Sequence, residues 1–288
     1  MDERDWLAER FEAHRTHLLA VAYRMLGSLT EADDAVQEAW LRMDRTDVGD
    51  IRNLGGWLTT VVARICLDML RARSARPEKP LDEAPAVAAV DAVDPEQEAV
   101  LADSIGVALL VILQTLNPAE RLAFVLHDMF DLPYAEIAPI VGRTENTAAQ
   151  LAARARRRVR GKTPNPATDL VRQRLLVDAF LAAARDGDFD ALLAVLDGDV
   201  VLRVDAAAAG APTTIRGALA VAANARAFSA NARFAEAALV DGAVGIVVAP
   251  KGKLALVLRF GVAADKITEI DIDADPQRLR LFTLAVLD

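Results

Sequence analysis

The stretch LPYAEIAPIVGRTENTAAQLAARARRRVRGK, residues 132–162, decides how the rest of the chain is read. A short helix begins near Tyr134 and carries Pro139, which bends or shortens it. Gly142-Arg143 forms a tight turn, Thr144 is placed to cap a second helix, and that helix ends in a run of arginines. This is the pattern of a helix-turn-helix whose second helix enters a DNA major groove. In such a motif Glu145 to Leu151 face the groove. Thr147 and Gln150 are the base-edge candidates, because an amide bonds bidentately to adenine. Arg154, Arg156, Arg157, Arg158 and Arg160 then lie toward the phosphates.

The charge balance sharpens this. The chain has a formal net charge of −9, yet residues 143–162 hold six Arg and one Lys against the single Glu145. A basic block inside an acidic protein implies local DNA contact, with further affinity supplied by another partner.

At 288 residues the chain has room for two or three compact domains. Its N-terminus, MDERDWLAERFEAHR, is charged where a secretory signal needs an apolar segment, and no apolar run approaches bilayer length. A cytoplasmic protein with no membrane segment is expected. Cys66, the single cysteine, excludes an internal disulfide and any cysteine zinc site, and reads as a core thiol within VVARICLDML. His14, His17 and His127 all precede residue 130, which leaves the second half only carboxylates as metal ligands. No metal and no cofactor are expected.

Apolar spacing is helical from Asp5 to Ser74, and Thr30 with Asp33 and Asp34 reads as an N-cap with an acidic first turn. From about Ala75 to Asp103 prolines and acids replace periodicity, as in a solvated linker. A second helical stretch runs from Ser104 to Arg160, with Asn117-Pro118 as cap and first-turn proline. After KTPNPATD, VRQRLLVDAFLAAARDGDFDALLAVL gives two amphipathic helices split at Asp186-Gly187-Asp188. The strand-like segments VVLRVDA, ARFAEAALV, GAVGIVVAP, LALVLRFGV and ITEIDIDA follow, with turns at Lys251-Gly252-Lys253 and Ala264-Asp265-Lys266. The fold class is multidomain: two all-α domains, then an α+β domain with helices first, a curved antiparallel sheet, and a closing helix in PQRLRLFTLAVL.

With DAVQEAWLR (residues 34–42), NLGGWLTTVVARICLDMLRARSAR (residues 53–76) and LNPAERLAFVLHDMFDLPYAEIAPIVGRT in order, residues 8–160 resemble the σ2 and σ4 domains of an extracytoplasmic-function RNA polymerase sigma factor. The resemblance implies a σ2 domain over residues 1–76, an acidic Pro/Ala-rich linker over 77–103 and a σ4 helix-turn-helix domain over 104–162. It implies core polymerase as partner, through the β′ clamp helices and the β flap, with Asp34, Gln37, Glu38, Trp40 and Leu41 on the polymerase-docking helix. Promoter DNA is the second partner. Asn53, Trp57, Arg64, Asp68, Arg71 and Arg73 fall where the family melts and reads the −10 element. There, flipped bases stack on apolar and aromatic groups beside cations. Trp57 by itself reads equally well as core, and the loop Asn53 to Gly56 is the base pocket that alignment favours. Arg143, Thr144, Thr147, Gln150, Arg154, Arg157 and Arg158 fall where the family reads the −35 element. Ala149 stands where the family often has a basic residue. In the linker, Asp82, Glu83, Asp91 and Asp94 suit an RNA mimic inside the polymerase.

Residues 163–288 resemble the SnoaL-like cone-shaped α+β domain that some of these sigma factors carry as a built-in regulator. The family's Asp-Gly-Gly segment is here Asp205-Ala206-Ala207-Ala208-Ala209-Gly210, and its linker Trp-Pro motif is replaced by KPLDEAP. The fold also hosts enzymes, but this stretch has no His, Tyr, Trp or Cys to act beside an Asp205 base, so no enzyme is expected. An intramolecular contact with σ2, σ4 or the linker is the expected regulatory device. Asp205 and the segment Asp275, Pro276 and Leu279 are its candidates, with a closing helix internal to the domain as the alternative. The function implied is promoter-specific transcription initiation tuned by the C-terminal domain. The alternative is a polymerase-independent helix-turn-helix regulator with a small-molecule-sensing domain.

Overall fold

The computed structural model describes residues 3–46, 51–75, 106–161 and 170–287. Arg76, the linker over 77–103, Ser104, Ile105 and the whole hinge KTPNPATD lie outside the described residues, and with them the acids assigned to an RNA mimic. The described chain forms two compact units. One contains 3–46, 51–75 and 113–157, and the other contains 106–112, 158–161 and 170–287.

The first unit is helical. α1 (Glu3–Leu26), α2 (Leu29–Asp44) and α3 (Leu54–Ala75) pack pairwise around Leu18, Val21, Met25, Val36, Leu58 and Leu67, each at most 1% exposed or nearly so. Gly27, in the left-handed region at φ 74°, ends α1, and the chain re-enters a helix at once. The cap of α2 is Ser28, whose hydroxyl accepts from the Glu31 amide, so Thr30 lies inside the first turn instead of capping it. The left-handed exit at Gly27 uses up the loop residues that a cap at Thr30 would need.

α4 (Val107–Thr115) leads to α5 (Pro118–Phe124), capped by Asn117 and begun by Pro118 as expected, and α5 widens into a π-turn over Val125–Met129. α6 (Tyr134–Val141) is brief and contains Pro139. α7 (Glu145–Val159) follows after a turn at Gly142, Arg143 and Thr144.

The second unit places α8 (Leu170–Asp186) and α9 (Phe189–Val195) before a seven-stranded sheet. Asp188 caps α9 at the expected turn. The strands are β1 (Leu196–Val204), β2 (Thr213–Arg216), β3 (Ala235–Val240), β4 (Ala243–Val248), β5 (Leu256–Ala263), β6 (Lys266–Asp273) and β7 (Leu284–Ala285), in spatial order β2-β1-β6-β5-β4-β3-β7. The sheet is mixed, not purely antiparallel, because β1 runs parallel to β6. The crossover between them carries two helices, α10 (Ala206–Ala209) and α11 (Ala218–Ala232). α11 has an alanine-rich sequence whose apolar stripe is too shallow for periodicity to reveal. The closing helix shrinks to one turn, α12 (Pro276–Leu279), since the residues after it extend to pair with β3. One face of the sheet and α8, α9 and α11 enclose an apolar core that includes Val177, Phe180, Leu192, Val221, Ile246, Phe260 and Ile270.

Candidate nucleic-acid interface

Gly142 is the left-handed terminus of α6, at φ 68°, and the Gly142 and Arg143 amides both donate to the Ala138 carbonyl. Thr144 Oγ1 then accepts from the Thr147 amide at 3.3 Å and starts α7. Ala148, Ala152, Ala155 and Val159 bury one side of α7. At about 100° per residue, Thr147, Gln150, Arg154, Arg157 and Arg158 share an arc of about 100° on the other side, and all but the half-buried Thr147 are exposed. These five residues thus share one face of α7.

Arg156 is different. Its guanidinium lies 2.9 Å from Asp128 and 2.5 Å from the Tyr134 hydroxyl, and His127 stacks on Tyr134 at 3.9 Å. It fastens α7 to the π-turn and α6 instead of facing phosphate. Its angle on the helix, about 180° from Thr147, was the available signal.

On α3, Asn53, Trp57, Arg64, Asp68 and Arg71 follow one another at helical spacing and share one face, with Trp57 half-buried and the other four exposed. Asn53 and the two glycines are the start of a helix and not a loop. Asn53 Oδ1 accepts the Gly56 amide at 2.9 Å, so Asn53 caps α3 and Gly55 and Gly56 form its first turn. Both glycines make room: a Cβ would stand 2.7 Å from the Asn53 side chain at Gly56 and 3.0 Å from the His14 ring at Gly55. Arg73 leaves the set, since it projects from the far side of α3 and binds both carboxylate oxygens of Glu31 at 2.5 Å. Arg71 stays, 3.8 Å from Asp68.

On α2, Asp34, Gln37, Glu38 and Leu41 form another exposed or half-exposed strip, and Leu41 is 45% exposed despite being apolar. Trp40 sits at its edge, its ring 5.2 Å from Phe11 in a T-shaped contact, and Glu38 pairs with Arg42 at 3.0 Å. An uncovered leucine between a carboxylate and an amide suits docking against another helix.

Three exposed strips thus occur in chain order on α2, α3 and α7. The comparisons agree with that order: residues 10–76 match the Sigma-70 region 2 family and residues 106–159 match Sigma-70, region 4. Over 290 residues the chain is 37% identical to the probable ECF RNA polymerase sigma factor SigI of Mycobacterium tuberculosis, covering 97% of each. The chain belongs to the extracytoplasmic-function RNA polymerase sigma factors. It is also 43% identical over 218 residues to the ECF sigma factor SigJ of M. tuberculosis, covering 72% of this chain and 67% of that one. The crystal structure of M. tuberculosis SigJ aligns over 94% of this sigma factor and 98% of SigJ, with 32% identity and a TM-score of 0.46.

The residues expected to form a regulatory contact in this sigma factor have internal partners. Asp205 Oδ2 accepts the Ala274 and Asp275 amides at 2.7 and 2.9 Å, and Oδ1 accepts Ala208 at 2.9 Å. Burial alone would raise its carboxyl. The amides of Ala274, Ala208 and Asp275, with Arg278 nearby, hold it below the usual range. Asp275 caps α12 through the Gln277 and Arg278 amides, Pro276 opens that turn, and Leu279 is buried. Asp205 thereby ties the end of β1 to the end of β6. Among the described residues no helix is long and apolar enough to cross a membrane.

Proposed function

We propose that this sigma factor directs core polymerase to promoters through three residue sets. Asp34, Gln37, Glu38, Trp40 and Leu41 dock the polymerase β′ clamp helices, and the σ4 domain reaches the β flap. Asn53, Trp57, Arg64, Asp68 and Arg71 engage the melted −10 element. Arg143, Thr147, Gln150, Arg154, Arg157 and Arg158 read the −35 element, with Thr144 starting the helix. The C-terminal domain modulates the output. The observation that carries this reading is the single-sided exposure of α7: four long polar side chains, Gln150, Arg154, Arg157 and Arg158, on one arc, and the helix's remaining arginine, Arg156, turned inward as a structural tie.

Run-off transcription with purified core polymerase, on DNA upstream of the protein's own gene, tests it. A start-site-specific transcript is expected when the full chain is added and none from core polymerase alone. Arg154→Ala should weaken promoter binding and lower the slope of log affinity against log salt by about one. Arg156→Ala should leave that slope intact and loosen the helix-turn-helix. No transcript and no association with core polymerase would sink the proposal and favour the stand-alone regulator.

A further inference from the structure

When a helix lies in a major groove its first turns reach the base edges, and other contacts along it go to the backbone. In the first turns of α7 one polar side chain has no structural task. Asn146 is exposed, and its carboxamide makes no hydrogen bond among the described residues. It does not cap the helix, because Thr144 Oγ1 accepts the Thr147 amide and fills that place. Asparagine is also a poorer helix former than alanine, since its side chain competes for backbone partners. In a helix that otherwise holds five alanines, local stability does not account for an amide at 146.

At about 100° per residue, Asn146, Gln150, Ala153 and Arg157 form a strip about 60° wide, and all but the half-buried Ala153 are exposed. From the N-terminal end the strip reads amide, amide, methyl, guanidinium. Thr147 lies about 100° from Asn146. It is half-buried, and its hydroxyl is 2.9 Å from that of Thr144, to which it is hydrogen-bonded. A free carboxamide is selective in a groove. Adenine presents the N7 acceptor beside the N6 donor, and a planar amide answers both. Guanine presents two acceptors and cytosine a donor alone, so each leaves half of the amide unmatched. The Ala153 methyl suits the thymine methyl of the same kind of pair. Asn146 and Gln150 are separated by about 6 Å of helix axis, against ~3.4 Å per base pair, so they reach neighbouring pairs.

We infer that Asn146 is a base-reading residue of this sigma factor and selects an A·T pair in the −35 element, with Gln150 reading a second pair close by. The Asn146 carboxamide donates through Nδ2 to adenine N7 and accepts at Oδ1 from adenine N6. Arg157, farther along the strip, goes to phosphate. This selection rests on the promoter-reading role of α7 proposed above and narrows that role to a base type.

Run-off transcription by core polymerase with the full chain tests it, on templates from upstream of the protein's own gene in which every base pair around the −35 position is replaced in turn. Below saturation, the wild type should lose about five- to 150-fold in output when the pair facing Asn146 is no longer A·T, the size of one bidentate contact. Asn146→Ala should abolish that preference and keep those at the other pairs, and Gln150→Ala should abolish a neighbouring one. Asn146→Asp, whose carboxylate only accepts, should transfer the preference to cytosine. Alanine favours helix, so circular dichroism of Asn146→Ala should match or exceed the wild-type helical signal. Unchanged preferences in Asn146→Ala would overturn the assignment and leave promoter reading by α7 standing. A uniform loss on all templates, the mark of a phosphate contact, would overturn it too. No transcript from the wild type would remove the promoter role and the base selection together.

Discussion

The two units handle buried polarity in opposite ways. In the second, the core between sheet and helices is wholly apolar, and the charges form a ladder on the other sheet face: Arg203 bonds Glu269 and Asp271 at 3.1 Å. Its buried polar side chains are satisfied individually, Gln173 by the Val244 amide and Asp273 by Arg259 and Arg278. In the first, buried polar groups gather where the σ2 helices meet the σ4 helices. Arg121, 5% exposed, donates to the Met25 carbonyl at 2.8 Å, and Arg24 and His17 flank Phe130. An apolar interior marks elements that fold together, and a polar seam resembles interfaces between bodies that part.

Ile246→Ala, at a fully buried position of β4, should give the largest effect, destabilising the second unit by about 3 kcal/mol. Slow exchange of β4 amides should report it. Trp6, Trp40 and Trp57 all lie in the first unit, so their fluorescence in urea should barely move. Arg121→Ala should do the reverse, costing about 2 kcal/mol by orphaning the Met25 carbonyl, read by that fluorescence. A cost near zero would mean the seam is already hydrated, and the contrast between the units would fail.

A smaller effect belongs to His17. With the Thr59 hydroxyl donating to the Gly55 carbonyl, His17 Nε2 donates to Thr59 Oγ1 at 3.1 Å. Burial, and then His14 and Arg24, hold its pKa below 6.5. The unfolded chain therefore takes up the proton first, and the stability tied to the neutral ring is present above pH 6.5 and lost as pH falls below it. The urea midpoint of the first unit should drop between pH 7.5 and 5.5, a range of about one unit either side of the ordinary histidine value, and His17→Gln should flatten that drop. Arg203→Ala, in an exposed ion pair, should leave the second unit's amide exchange unchanged.

Local chemistry made much of this legible. Thr144, Asn117-Pro118, Asp188 and the Ala264-Asp265 turn act within a few residues, so their spacing suffices. What the sequence hid depends on distant partners. Arg73 looks like another cation of α3 until Glu31 is found beside it, and Arg156 looks like a phosphate contact until Asp128 and Tyr134 close on it. The parallel pairing of β1 and β6 joins strands separated by two helices and four strands, which periodicity does not encode. Asp205 has a carboxylate fit for a contact, but three backbone amides occupy it.

The bond from Arg121 to Met25 also implies a ruler. Promoter elements named for positions 10 and 35 are about 25 base pairs apart, which is about 85 Å of B-form DNA at ~3.4 Å per pair. If each half of the first unit sits on its own element, a 2.8 Å bond between the halves must break. The duplex then works as a wedge, and a site that grips only one half leaves the seam closed. Such a seam sets a threshold for admission, tuned by how poorly a buried guanidinium tolerates losing its carbonyl.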